Sequence, residues 1–95
     1  MNKKERYEKM LRDYSAILDK VAEIQKENPE IRTGIDCTTI NLHGAAEEVF
    51  DALGITNYYV DEYEDFICKT AIYNGKYVKG IIRNNGNWKE NSSKH

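Results

Sequence analysis

The 95-residue sequence predicts an α+β domain: a long N-terminal helix and one short helix packed on a small, mainly antiparallel sheet of three or four strands, with a C-terminal β-hairpin. Three observations carry that prediction. Apolar residues recur at the helical period from Tyr7 to Ile24. A shorter stripe of the same kind, Ala46, Val49, Phe50 and Leu53, stops at Gly54. Two runs rich in β-branched and aromatic side chains flank Asn74-Gly75, the preferred pair for a type I′ turn.

Residues 3–28 read as the first helix. Its apolar positions are Tyr7, Met10, Leu11, Tyr14, Ile17, Leu18, Val21 and Ile24. The intervening residues are mostly charged, and Glu5/Lys9 and Glu8/Arg12 stand four apart, where opposite charges support a helix. Asn28-Pro29 ends it, because the residue before a proline is pushed out of the α region. The series 7, 10, 14, 17, 21, 24 also fits a heptad seam, which would let two copies form a homodimer through this helix. The preferred reading places the whole stripe on the domain's own sheet.

Residues 35–42 are rich in Thr and Ile and read as a strand. Residues 45–53 read as the short helix, with Gly44 as its cap and Glu47 and Glu48 where the helix dipole favours anions. Gly54 suits the position after the helix, and Ile55 supplies the accompanying apolar contact. Tyr58-Tyr59-Val60 begins a short edge strand. In the hairpin, the two-residue loop fixes the register. Ile72/Tyr77, Cys68/Ile81 and Phe66/Arg83 then share one face, and Ala71/Val78 and Ile67/Ile82 the other. The first face is expected to meet the helices. The domain is expected to span residues 1–84. Residues 85–95 are polar apart from Trp88 and read as a flexible tail, with Trp88 either pinning it or anchoring a partner.

Composition bounds the function. No leader-like apolar run follows Met1, and no stretch approaches the length of a membrane span, so export is not expected and the expected compartment is the cytoplasm. Cys37 and Cys68 make no C-x-x-C pair and read as small buried hydrophobes in a reducing compartment.

The net charge of −2 conceals a division along the chain. Residues 33–68 contain no Lys or Arg but hold Asp36, Glu47, Glu48, Asp51, Asp61, Glu62, Glu64 and Asp65. The densest part is Tyr58-Tyr59-Val60-Asp61-Glu62-Tyr63-Glu64-Asp65. Carboxylates held apart on a folded surface can stand where the phosphates of a nucleic acid would. Interleaved tyrosines add rigid contact area and hydroxyls. Such a surface would be drawn to a groove lined with Lys and Arg, in a salt-dependent way. The plainer reading is a solvated acidic turn that keeps the domain soluble. Direct nucleic-acid binding is not expected, since no basic stripe with interleaved aromatics is present, although Lys69, Lys76, Lys79 and Arg83 lie on the hairpin.

No phosphate-binding glycine loop, H-E-x-x-H or other catalytic motif occurs. His43 with Cys37 or Cys68 has no spacing that favours a nucleophile pair. Asp61, Glu62, Glu64 and Asp65 lack the ligand order and glycine of a calcium loop. No enzyme activity, metal or cofactor is therefore expected.

The order of elements, from the polar N-terminal helix through Leu42-His43-Gly44…Val49-Phe50…Leu53-Gly54 and the acidic Tyr-rich turn to Ile72-Tyr73-Asn74-Gly75-Lys76-Tyr77-Val78, resembles the small orphan proteins of phages and prophages of low-GC Gram-positive bacteria. The resemblance spans residues 38–83 and lies in style and order, so it assigns no individual residue. It implies inhibition of a bacterial defence system, as by anti-CRISPR proteins, several of which are small acidic α+β domains occupying the nucleic-acid site of their target. The expected function is therefore a phage-type inhibitor that binds a host protein or ribonucleoprotein complex with a basic groove. Asp61, Glu62, Glu64 and Asp65 would mimic phosphates, and Tyr58, Tyr59 and Tyr63 would act as anchors. The alternatives are a small dimeric adaptor and a protein that captures a nucleotide signal.

Overall fold

A computed structural model describes residues 1–83. The expected tail and Trp88 lie outside the described residues. The elements are α1 (Lys3–Glu27), β1 (Thr39–Leu42), α2 (Ala46–Ala52), β2 (Tyr59–Glu62), β3 (Phe66–Tyr73) and β4 (Lys76–Arg83). The strands form one sheet in the order β1-β4-β3-β2. β2, β3 and β4 pair antiparallel and β1 lies parallel to β4, so the predicted α+β architecture is the observed one.

Local chemistry sets the helix ends. Asn2 caps α1, its side chain accepting from the Glu5 N–H at 2.8 Å. At the other end the Asn28 side chain donates to the Ile24 carbonyl at 2.9 Å, and Pro29 forbids another turn. α2 closes through Gly54, whose positive φ of 69° lets its N–H reach the Asp51 carbonyl while the Ile55 N–H reaches that of Phe50 at 2.9 Å. Ile55 packs on the core as this motif requires.

The start of α2 differs from expectation. The capping position is Ala45, not Gly44, and Ala45 sits in the left-handed region at φ 54°, ψ 25° without a side-chain cap. Its Cβ makes that conformation costly by roughly 1–2 kcal/mol. Ala45→Gly is therefore expected to stabilise the domain by about 1 kcal/mol, raising the melting temperature by about 4–8 °C. Gly44→Ala, whose added methyl would meet nothing within 4 Å, serves as the control and should change little.

The first strand is shorter than residues 35–42. Asp36 Oδ1 accepts from the Thr38 N–H at 2.9 Å and its hydroxyl at 2.6 Å, which turns the chain just before Thr39. Those two bonds hold the Asp36 carboxyl below the usual range, the hydroxyl contributing most. Gln25 of α1 steadies the preceding loop by bonding Thr33 and the Ile35 carbonyl and accepting from the Cys37 thiol.

The hairpin register is the predicted one, with Asn74 and Gly75 both at positive φ. The face that meets the helices is the opposite of the one expected. Ile40, Val78 and Ala71 form a buried row across three strands and join Leu11, Leu18 and Phe50 in the core. Ile72 and Tyr77 lie on the open face and are exposed. Size makes this choice. Gly80 presents bare backbone to α2, and an added Cβ would lie 2.7 Å from that of Ala46 and 3.7 Å from the Phe50 ring. Lys69 and Lys76, also on the helix side, pair with Glu47 and Asp19.

α1 also departs from expectation. Tyr7, Leu11 and Leu18 are buried, while Tyr14, Ile17 and Ile24 are exposed. Only part of the apolar stripe therefore lies on the sheet. Among the described residues no helix is long and apolar enough to cross a membrane.

Candidate functional site

The candidate site is the outer edge of the sheet and the turn that follows it. Among the described residues β2 pairs on one side only, with Tyr59 opposite Thr70, Val60 opposite Lys69, Asp61 opposite Cys68 and Glu62 opposite Ile67. All four of its residues are exposed. The Tyr63 N–H donates to the Phe66 carbonyl at 2.8 Å, so residues 63 and 66 are a hydrogen-bonded pair. Alternation along the ladder then turns the N–H and C=O of Tyr59 and Asp61 toward β3 and those of Val60 and Glu62 outward. The edge thus offers backbone donors and acceptors as well as side chains.

Successive side chains of a strand point to opposite faces. Tyr59 and Asp61 accordingly stand over the open face, and Val60 and Glu62 over the helix face. The acidic run therefore wraps around the edge and does not lie flat on one surface. Tyr59 is 79% exposed and Tyr63 50%. Tyr63 is held in place by stacking on Phe66, with ring centroids 4.6 Å apart.

Tyr58 separates from this group. It precedes β2, is half-buried and packs against the core, its ring centroid 5.7 Å from that of Phe50. The Lys69 ammonium lies 5.1 Å from the centroid of the same ring. Tyr58 thus ties the start of the edge strand to α2 and also lines the hollow beside Tyr59.

The carboxylates divide into two classes. Two of the three in α2 are paired, Glu47 accepting from Lys69 at 2.7 Å and Glu48 from Lys3, while Asp51 makes no ion pair among the described residues. The bond to Glu48 raises the Lys3 pKa and lowers that of Glu48, and the bond to Glu47 raises that of Lys69. Asp61, Glu62 and Asp65 make no ion pair among the described residues. Glu64 lies between them in the exposed turn. The sequence could not separate these classes, because Lys3 and Lys69 reach α2 only through the fold.

Hollows flank the edge on both faces. One of about 350 Å³ is lined by Asn57, Tyr59, Thr70, Ile72 and Tyr77 on the open face. Another of about 260 Å³ is lined by Val60, Glu62, Ile67, Lys69 and Ile82 on the helix face. Composition alone did not disclose them, although the alternation of Tyr59, Val60, Asp61 and Glu62 would have once β2 was recognised as an edge strand. Among the described residues no three His, Cys, Asp or Glu side chains converge so as to hold a metal ion.

Comparison with known proteins finds no matching family model, no matching curated protein and no matching solved structure. Function has to be read from the chemistry of the surface itself.

Proposed function

We propose that this domain is an inhibitor that binds a bacterial nucleic-acid-targeting defence complex, such as a CRISPR effector, and occupies its basic groove with the β2 edge. The supporting observation is that residues 59–65 are exposed throughout while Asp61, Glu62 and Asp65 make no ion pair among the described residues. Carboxylates already paired within the domain, like those of Glu47 and Glu48, offer less to an outside cation. The separated charges of the edge attract one from either face. Tyr59 and Tyr63 supply rigid contact area beside them. A charged edge strand also discourages edge-to-edge pairing, and that role alone would leave partner binding indifferent to neutralisation.

The test is a combined Asp61→Asn, Glu62→Gln, Glu64→Gln, Asp65→Asn variant, measured against purified effector complexes by binding and by target cleavage. Affinity is expected to fall by about a hundredfold, more at low salt than at high salt. The melting temperature should stay near that of the parent, because exposed substitutions of this kind change stability by about 0.5 kcal/mol or less. Binding that survives the neutralisation, or that ignores salt, would sink the proposal. Tyr59→Ala should weaken the complex as well, since Tyr59 projects from the same edge.

A further inference from the structure

The buried stripe of α1, centred on Tyr7, Leu11 and Leu18, has a second apolar line beside it. Met10, Tyr14, Ile17, Val21 and Ile24 follow one another at alternating spacings of four and three. Tyr14, Ile17 and Ile24 are 46, 60 and 50% exposed. At 3.6 residues per turn this line lies roughly 80° round the helix from the buried stripe, and it runs for about 21 Å. The domain's own packing leaves it largely open.

Charge indicates what covers it. On the solvent side of the seam the flanking positions are Arg6, Asp13, Lys20 and Glu27, seven apart and alternating in sign. On the inner side they are Leu11, Leu18 and Gln25, which the domain already uses. A parallel helix pair sets the two flanks of the seam against each other, and here one flank is occupied. In an antiparallel pair the outer flanks meet each other in reverse order.

Put Tyr14 of one copy opposite Ile17 of the other, and Met10 falls opposite Val21. Asp13 then faces Lys20 and Arg6 faces Glu27, each pair occurring twice by symmetry. Sliding one heptad in one direction sets Asp13 against Glu27 and Lys20 against Lys20. Sliding the other way sets Arg6 against Lys20 and Asp13 against Asp13. Of these three alignments only the first makes every flanking pair opposite in charge, and it also overlaps the seam most fully. Asp13 and Lys20 now pair with Lys9 at 2.6 Å and Glu23 at 3.4 Å, but those pairs are exposed and hold the side chains only weakly.

We infer that this face binds a second copy of the chain, forming an antiparallel two-helix pair in the Tyr14–Ile17 register. The inference does not rest on the proposed function, because α1 and the β2 edge are separate surfaces.

The experiment is sedimentation equilibrium of the full chain from low to high micromolar concentration, with thermal melts at the low end as the check on folding. The parent is expected to pass from monomer to dimer. Ile17→Glu should remain monomeric with an unchanged melt, since Ile17 is exposed in the monomer. Asp13→Lys and Lys20→Asp should each weaken the dimer by about tenfold. Their combination restores opposite charges in this register and should return most of the affinity. A parent that stays monomeric at the highest concentration overturns the proposal and leaves the seam to a helix of another protein. Dimerisation indifferent to Ile17→Glu, or a double variant no stronger than the single ones, overturns it as well.

Discussion

Replacing Gly80 with valine is expected to destabilise the domain by about 3 kcal/mol or more, and with alanine by about 1–3 kcal/mol. The reason lies in how close α2 approaches the sheet. A Cβ at position 80 would come 2.7 Å from the Cβ of Ala46. That atom is fixed to the helix backbone and cannot swing aside as the end of a long side chain would. α2 has to lift, and Val49 and Phe50 lift with it, although both are buried. For a chain with roughly 5–15 kcal/mol of total stability, the valine variant would lose a large share. Denaturant unfolding followed by circular dichroism reads the effect. Ala46→Gly combined with Gly80→Ala removes the clash from the other side and should recover part of the alanine variant's loss, less the cost of a glycine within α2. Gly34→Ala, whose methyl meets nothing within 4 Å, is the control. If Gly80→Val unfolds at the parent's midpoint, α2 does not sit this close to the sheet.

Gly80 also shows where the fold was legible in the sequence and where it was not. Asn74-Gly75 is a local signal, complete within two residues, and it set the hairpin register correctly. The choice of face is a non-local property. A period of two defines two faces, and in this hairpin both are fairly apolar. The helices settle on the face where Ala71 and Gly80 leave room, and the glycine inside a strand was the one local trace of that approach. The end of α1 was legible for a similar local reason, since Pro29 acts on its immediate neighbour. The start of β1 was not, because it depends on Asp36 bonding back to Thr38 and not on β propensity.

The candidate site was legible as composition and only partly as geometry. Acids adjacent in sequence look like one patch, but a strand sends alternate side chains to opposite faces. Asp61 and Glu62 consequently diverge, while Tyr59 and Asp61 share a side. Tyr58, one residue ahead of β2, turns inward to Phe50 and Lys69. What the charge division along the chain conveyed was the location of the acids. Which of them are already paired depended on Lys3 and Lys69 arriving from distant segments.

Leu18→Ala is expected to cost about 2–5 kcal/mol, whereas Ile17→Ala, one residue away on the neighbouring apolar line, should cost about 0.5 kcal/mol or less in the monomer. Leu18 is 4% exposed and packs in the cluster with Leu11, Ile40 and Phe50. Truncating it removes those contacts and leaves a cavity that the strand beneath cannot fill, because β1 is held in register by its pairing with β4. Ile17 is mostly in water, and alanine's better helix propensity offsets part of what its truncation removes. Urea unfolding at low protein concentration measures both, with an unchanged slope showing that the denatured state is the same. The two variants should then reverse their order in sedimentation at high concentration. Ile17→Ala should weaken association, while Leu18→Ala, wherever it remains folded, should retain it. Equal losses of stability would place Ile17 inside the monomer's core and remove the basis for a second apolar line on α1. Unequal losses without any effect of Ile17→Ala on association would keep the core as described and leave the seam without its second copy.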